Sequence, residues 1–193
     1  MRKLTYYVAC SIDGFIGDPK GDATSMFQFM DDEYGTFMKN EYPETIPTQA
    51  HAAFGVTGGN RHFDTVVQGL ASYRLALDVG ITSPYAHLRE LVATRSLTES
   101  PDANVELIAE DLVGRIRELK AEDSPLGIWL CGGSTVAGAL VEEIDELIIK
   151  TYPQVYGAGM PMFGTDFAVH DFTLGDVRTF GNGVIVRTYT RKR

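Results

Sequence analysis

The sequence predicts an α/β domain with a central, mostly parallel sheet closed by a C-terminal antiparallel hairpin. Three observations carry this. Apolar runs of strand length alternate with stretches of helical spacing through most of the 193 residues. Residues 127–131 form a continuous apolar run ending at Gly132-Gly133, as a strand buried on both faces should. Residues 167–178 and 184–190 alternate on either side of Gly181-Asn182-Gly183, and Asn-Gly between alternating runs signals a hairpin.

The elements follow in order. Residues 4–16 are rich in β-formers and are interrupted by Asp13-Gly14, which predicts a strand, a bend and a short extended piece. A turn-rich loop occupies 18–22. Ser25 is placed to cap a helix starting near Met26, along which Phe27, Met30, Tyr34, Phe37 and Met38 recur at helical spacing. Residues 41–61 hold two prolines, three glycines and little periodicity. A connection that long suits a lid, a substrate wall or a dimer contact. Residues 63–68 make a strand ending at Gly69, and 71–77 a helix. Brief strands follow at 91–94 and 105–109. Asp111 caps a helix to about Lys120, with Leu112, Ile116 and Leu119 on one face. A further helix runs from Gly133 to about Glu143, then a strand over 145–152 that Pro153 ends. The reading is one domain over 1–193, without repeat or low-complexity tract.

A net charge of −9 and a pI near 4.9 disfavour nucleic acid and anionic membranes as partners. Any phosphate site must therefore be local. Cys10 and Cys131 are far apart and show no metal spacing, so they read as free buried thiols in a reducing, cytoplasmic setting. The start, MRKLTYYVACSIDGF, reads as a first strand and not as a signal peptide. No run reaches membrane-spanning length.

Three segments carry candidate chemistry. In Gly127-Ile-Trp-Leu-Cys-Gly-Gly-Ser-Thr-Val136 a buried strand runs into two glycines and a hydroxyl pair at a helix start. Unpaired N–H groups there suit a phosphate, and a tight turn with a Ser cap is the plainer alternative. Phe63-Asp-Thr-Val-Val-Gln-Gly-Leu-Ala-Ser-Tyr73 repeats the strand–Gly–helix turn. Two such turns in one sheet suggest a ligand across the carboxyl edge of the strands, or else ordinary α/β punctuation. In Val8-Ala-Cys-Ser-Ile-Asp-Gly-Phe-Ile-Gly17, Asp13 interrupts an apolar strand, either as a functional carboxyl or as a turn Asp-Gly.

Taken in order, Ser11-Ile12-Asp13-Gly14-Phe15-Ile16, the block from Val66 to Tyr73, Ile128-Trp-Leu-Cys-Gly-Gly-Ser134, and Ile144-Asp-Glu-Leu147 with Pro153-Gln-Val-Tyr-Gly-Ala-Gly-Met-Pro-Met-Phe163 resemble a known family. It is the dihydrofolate reductase-like family, in the branch of the C-terminal reductase domain of the riboflavin-biosynthesis deaminase–reductase. The resemblance covers nearly the whole chain except 41–61. It implies a three-layer fold with NADPH lying across the sheet. Gly132, Gly133, Ser134 and Thr135 would hold the pyrophosphate, with Gly69 and Ser72 approaching from the other side. Thr94, Arg95 and Ser96 fall where the adenosine ribose and its 2′-phosphate are held. Ala9, Ile16 and Gly17 would border the nicotinamide. Asp13 is a candidate proton donor or substrate anchor, and Asp32, beside Asp31, a candidate anchor for a substrate amine or ring; a solvated helix face is the plainer reading of the pair.

The implied function is hydride transfer from NADPH to a small heterocycle, either 5-amino-6-ribosylaminouracil phosphate or a pterin-like ring, by a homodimer. Leu70 departs from the family pattern, which carries a phosphate-binding Arg there. Either Arg95 takes up that charge or cofactor binding is altered. The alternative function is a catalytically inactive nucleotide- or ligand-binding dimeric module. Deamination needs an HxE and PCxxC zinc motif that this chain lacks. His51, His62, His87 and His170 show no metal spacing, though His51 and His62 fall in or beside the long connection and could reach a substrate.

Overall fold

The structure, a computed structural model, describes residues 1–192. Its strands are β1 (Leu4–Cys10), β2 (Phe15–Gly17), β3 (Phe63–Gly69), β4 (Arg89–Ala93), β5 (Val105–Ile108), β6 (Gly127–Gly132), β7 (Glu146–Thr151), β8 (Met160–Pro161), β9 (Phe172–Thr179) and β10 (Ile185–Arg191). Its α-helices are α1 (Asp32–Glu41), α2 (His51–Phe54), α3 (Leu70–Leu77), α4 (Leu112–Ala121) and α5 (Ser134–Ala139). Eight strands form one sheet in the order β5-β4-β3-β6-β1-β7-β10-β9. Neighbours from β5 to β7 are parallel, and β10 and β9 close the edge antiparallel. β2 and β8 form a separate two-stranded ribbon.

Successive side chains of a strand face opposite sides of the sheet, and this alternation sorts the core. Leu4, Tyr6, Val8 and Cys10 of β1 join one cluster with Ile116 and Leu119 of α4 and Ala137 of α5. Tyr7 joins the opposite cluster, with Tyr34 and Met38 of α1, Val66 and Trp129. On that second face Tyr73 of α3 packs against Val92 and Val105, while Leu91 points to the first. So α1 and α3 cover one face and α4 and α5 the other. This is what right-handed crossovers give when the chain moves first toward one edge and then back toward the other. The central β1 is buried at nearly every position, which explains its unbroken apolar run.

The helix expected from Met26 is divided in two. Residues Thr24–Phe29 make a 3₁₀ turn, and α1 begins only at Asp32. The reason is the cap: Asp31 is extended and its carboxylate accepts the Tyr34 N–H at 2.9 Å. Ser25 does not cap; its hydroxyl pairs with the Tyr156 hydroxyl at 2.7 Å. The helix expected to reach Glu143 stops at Ala139, and Gly133, not a serine, occupies its N-cap with no side-chain bond. Asp111 caps α4 as expected, accepting the Gly114 N–H at 3.0 Å. The hairpin turns at 181–183 with Gly183 at φ 88° and is tied to the α1 end by Asn182, which donates to the Phe29 carbonyl.

The long connection is packed down. It contains two 3₁₀ turns and α2. Buried Glu44 accepts the backbone N–H groups of His62 (2.6 Å) and Phe63 (2.9 Å), fixing the start of β3. The His87 ring bridges the Thr48 hydroxyl and the Glu44 carbonyl. Across the sheet, buried Lys120 of α4 reaches Asp145 at 2.7 Å and donates to the Glu143 carbonyl at 2.8 Å, joining α4 to the start of β7. Among the described residues no helix is long and apolar enough to cross a membrane.

Candidate functional site

The two strand–glycine–helix turns meet at the carboxyl edge of the sheet. β3 and β6 are parallel neighbours, with Gln68 opposite Gly132. A Cβ on Gly69 would stand 3.0 Å from Val136 and 3.6 Å from the Gly133 nitrogen. A Cβ on either Gly132 or Gly133 would stand 3.7 Å from the Ser72 hydroxyl. Gly132 has φ 140°, a conformation open to glycine, and the Gly132-Gly133 peptide is cis. Met160 of β8 closes the third side, its sulfur 3.9 Å from a Cβ on Gly133. The result is a strip of bare backbone walled by Ser72, Val136 and Met160. At its edge the buried Gln68 side chain has no hydrogen-bond partner for its amide nitrogen.

The other expected residues divide. Thr135 is exposed beside this strip, whereas Ser134 is buried against Gly164, whose N–H donates to the Ser134 carbonyl at 2.9 Å. Leu70 packs on Tyr73, Val92 and Val105, so the position lies on the apolar base of α3. Thr94 is buried, and its hydroxyl accepts the N–H groups of Ser96 and Leu97 to shape the loop after β4. Arg95 and Ser96 are exposed there. Arg95 lines a cavity of about 450 Å³ together with Ala109, Glu110 and Asp111, and makes no ion pair among the described residues. A second cavity, of about 410 Å³ near Arg2, Arg61 and His62, lies at the amino ends of the strands, away from the glycines.

Ala9 ends β1 on the face covered by α1 and leaves part of its surface open. Ile16 leans on the opposite cluster beside Phe163. Gly17 is buried against Gly21, where a Cβ would stand 2.9 Å from the backbone. Asp13 is exposed, and its carboxylate accepts the Ser11 hydroxyl (2.6 Å) and the N–H groups of Tyr156 (3.1 Å) and Gly157 (2.7 Å). The Ser11 bond, followed by those backbone donors, lowers its pKa to about 2. At neutral pH it is an ionised tether for the loop after β7, with no proton to give. Asp32 is exposed in the first turn of α1, where its charge suits the helix end. His51 bonds the Ile46 carbonyl, and His62 stacks on Tyr42 at the amino end of β3, so neither reaches the glycine strip.

One residue escaped the sequence reading. Lys150 of β7 lies on the α1 face beside Ala9. Its ammonium stands 3.9 Å over the Tyr7 ring, and burial lowers its pKa to about 8. A lysine flanked by Ile148, Ile149 and Tyr152 in a central strand was the available signal.

The strand order, the two crossover faces and the glycine edge are those of the dihydrofolate reductase-like fold, and this chain has it. Solved structures share it along the whole chain. A Shewanella sp. PV-4 protein ascribed to riboflavin biosynthesis matches with a TM-score of 0.72 at 23% identity, covering 100% of both chains. Dihydrofolate reductase from Enterococcus faecalis, complexed with NADP(H) and RAB-propyl, matches with a TM-score of 0.60 at 14% identity, covering 99% of this chain and 97% of that one. In sequence the chain is 28% identical over 185 residues to the uncharacterized protein YwjB of Bacillus subtilis (strain 168), covering 95% of each. No family model matches it.

Proposed function

We propose that the chain is an NADPH-dependent reductase of a small heterocycle, either a ribosylaminouracil phosphate or a pterin-like ring. The observation that carries this is the bare strip formed by Gly69, Gly132 and Gly133, where side chains would fill the space a dinucleotide backbone needs. The residues present fit such a group. Gly69, Gly132, Gly133 and Thr135 would hold the pyrophosphate, with Ser72 adding a hydroxyl donor. Arg95, free of ion pairs among the described residues, would meet the 2′-phosphate in its cavity and supply the charge that Leu70 does not. Ala9 would leave room for the nicotinamide at the end of β1. The bound cofactor supplies the hydride. The aromatic wall of Tyr7, Tyr34, Phe37 and Tyr42 beneath α1 offers flat apolar surface for a ring and excludes water from it.

We also propose a homodimer. β9 is an edge strand exposed on both faces, with Leu174 at 52% and Val177 at 45% exposure, and a bare edge of that length invites a partner. One observation favours the second reading, an inactive ligand-binding module: Leu70 sits in an apolar cluster where a phosphate-binding cation would stand.

The reductase reading is tested by following nicotinamide absorbance while the protein is mixed with NADPH and a panel of pterins and ribosylaminouracil phosphates. Turnover with one of them is the expected result. NADPH binding without turnover across the panel favours the inactive module.

A further inference from the structure

We propose that Lys150 is an anion anchor in the cleft under α1, holding the negatively charged edge of a flat heterocycle. The identity of the ligand as a ring rests on the reductase reading; the need for an anion rests on Lys150 itself.

Lys150 is bracketed in register by Ala9 of β1 and Val186 of β10. Alternation places it on the same face as Ile148, and so with Tyr7, Trp129 and Val186 in the cluster that α1 covers. Its ammonium lies 3.9 Å over the Tyr7 ring, which is held in place by its own hydroxyl bonding the Met38 sulfur of α1 at 3.0 Å. Part of the side chain remains accessible, so the cleft reaches it.

The other buried lysine of the chain behaves differently. Lys120 has Asp145 and a backbone carbonyl. Lys150 makes no ion pair or hydrogen bond among the described residues. A cation withdrawn from water needs a counter-charge, and one aromatic face replaces only part of its lost hydration. No group of the chain supplies that charge. The thiols of Cys10 and Cys131 are nearest in electrostatic terms, but burial pushes both up, Cys131 to about 11, so at neutral pH they are uncharged. The buried carboxylate of Glu90 belongs to β4, separated from β7 by β3, β6 and β1, and it accepts from Ser83 and Tyr85. The missing anion is therefore one that a ligand brings.

The surroundings define the ligand's shape. Tyr7 lies under the ammonium, and Tyr42 packs on Tyr7 at 4.8 Å. Trp129 meets Tyr7 edge-on at 6.2 Å and Tyr85 at 4.9 Å. Flat walls and a single cation select a planar ring whose charge is spread over a carbonyl–nitrogen edge, such as an ionised imide.

Trp129 is the only tryptophan, so its fluorescence reports on this cleft. The test titrates the full chain with barbiturate, a ring anion at neutral pH, and with uracil, its neutral counterpart. Wild type, Lys150→Met and Lys150→Arg are compared, and each is also titrated with NADPH. The expected result is barbiturate binding at least about tenfold tighter than uracil in the wild type, lost in Lys150→Met and kept in Lys150→Arg. Equal barbiturate affinity in wild type and Lys150→Met overturns the anchor, as does NADPH binding with no response to either ring. Barbiturate binding that depends on Lys150, in a protein that does not bind NADPH, upholds the anchor and removes the reductase reading instead.

Discussion

Gly133→Ala is expected to fold as the wild type does and to bind NADPH at least about tenfold more weakly. The two halves of that result have separate causes. Gly133 has φ −93°, which any residue adopts, and a Cβ there meets Ser72 at 3.7 Å and Met160 at 3.9 Å, ordinary contact distances. Its cost to the fold should stay within about 1 kcal/mol. The added methyl nevertheless occupies the strip between β6, Ser72 and Met160 where a pyrophosphate must approach backbone. Gly132→Ala provides the contrast: its φ of 140° strains any side chain, so that variant should lose stability as well. Thermal melting beside NADPH titration separates the effects. Unchanged binding in a folded Gly133→Ala would remove the glycine strip from the cofactor site.

The same substitution at the two buried lysines is expected to act with opposite sign. Lys120→Met should destabilise the chain by about 3–5 kcal/mol, because it leaves Asp145 without the cation 2.7 Å away while the carboxylate still sits between α4 and β7, accepting the Leu4 N–H at 2.9 Å. Lys150→Met should stabilise it, because no partner is lost and a desolvated charge is removed. Burial lowers Lys150 from 10.5 to about 8, so the unfolded chain binds the proton more tightly than the folded one. Below about pH 8 the penalty is fully present; between about 8 and 10.5 wild-type stability rises with pH; above 10.5 the penalty is gone. Since the side chain is partly exposed, the gain at neutral pH is discounted to about 1–2 kcal/mol, or several degrees in Tm for a chain of this size. Melting curves of both variants at pH 7 check this, and a Tm of Lys150→Met below that of the wild type would contradict it. A residue that costs stability in a cleft is the expected signature of one kept for ligand binding.

Much of this was legible in the sequence for identifiable reasons. Strands buried on both faces announce themselves as apolar runs, as at β6 and β7. Glycines at strand ends mark where backbone must come close to something, and Gly69 with Gly132-Gly133 do converge. The Asn182-Gly183 turn fixed the hairpin. Competition between caps was harder to read: Ser25 and Asp31 both suit a helix start, and the ionised acceptor at Asp31 prevailed while Ser25 was drawn to Tyr156. The two-residue β8 is too short for any periodicity, yet it delivers Met160 to the glycine strip. Asp13 drew attention as a carboxyl beside an apolar strand, but its partners at 156 and 157 lie far along the chain, so its tethering role could not be read locally. Lys150 was masked because a strand pattern with one lysine also suits a solvent-facing position. Only the covering α1 removes that option.

The central claim is that the carboxyl edge of β3 and β6 holds NADPH, with Arg95 at its 2′-phosphate. Its most direct test is titration of the full chain with NADPH and with NADH, following nicotinamide fluorescence, in wild type and Arg95→Ala. The account predicts wild-type affinity in the micromolar range for NADPH, at least about tenfold weaker binding of NADH, and loss of that preference in Arg95→Ala. Failure of the wild type to bind either nucleotide would contradict it.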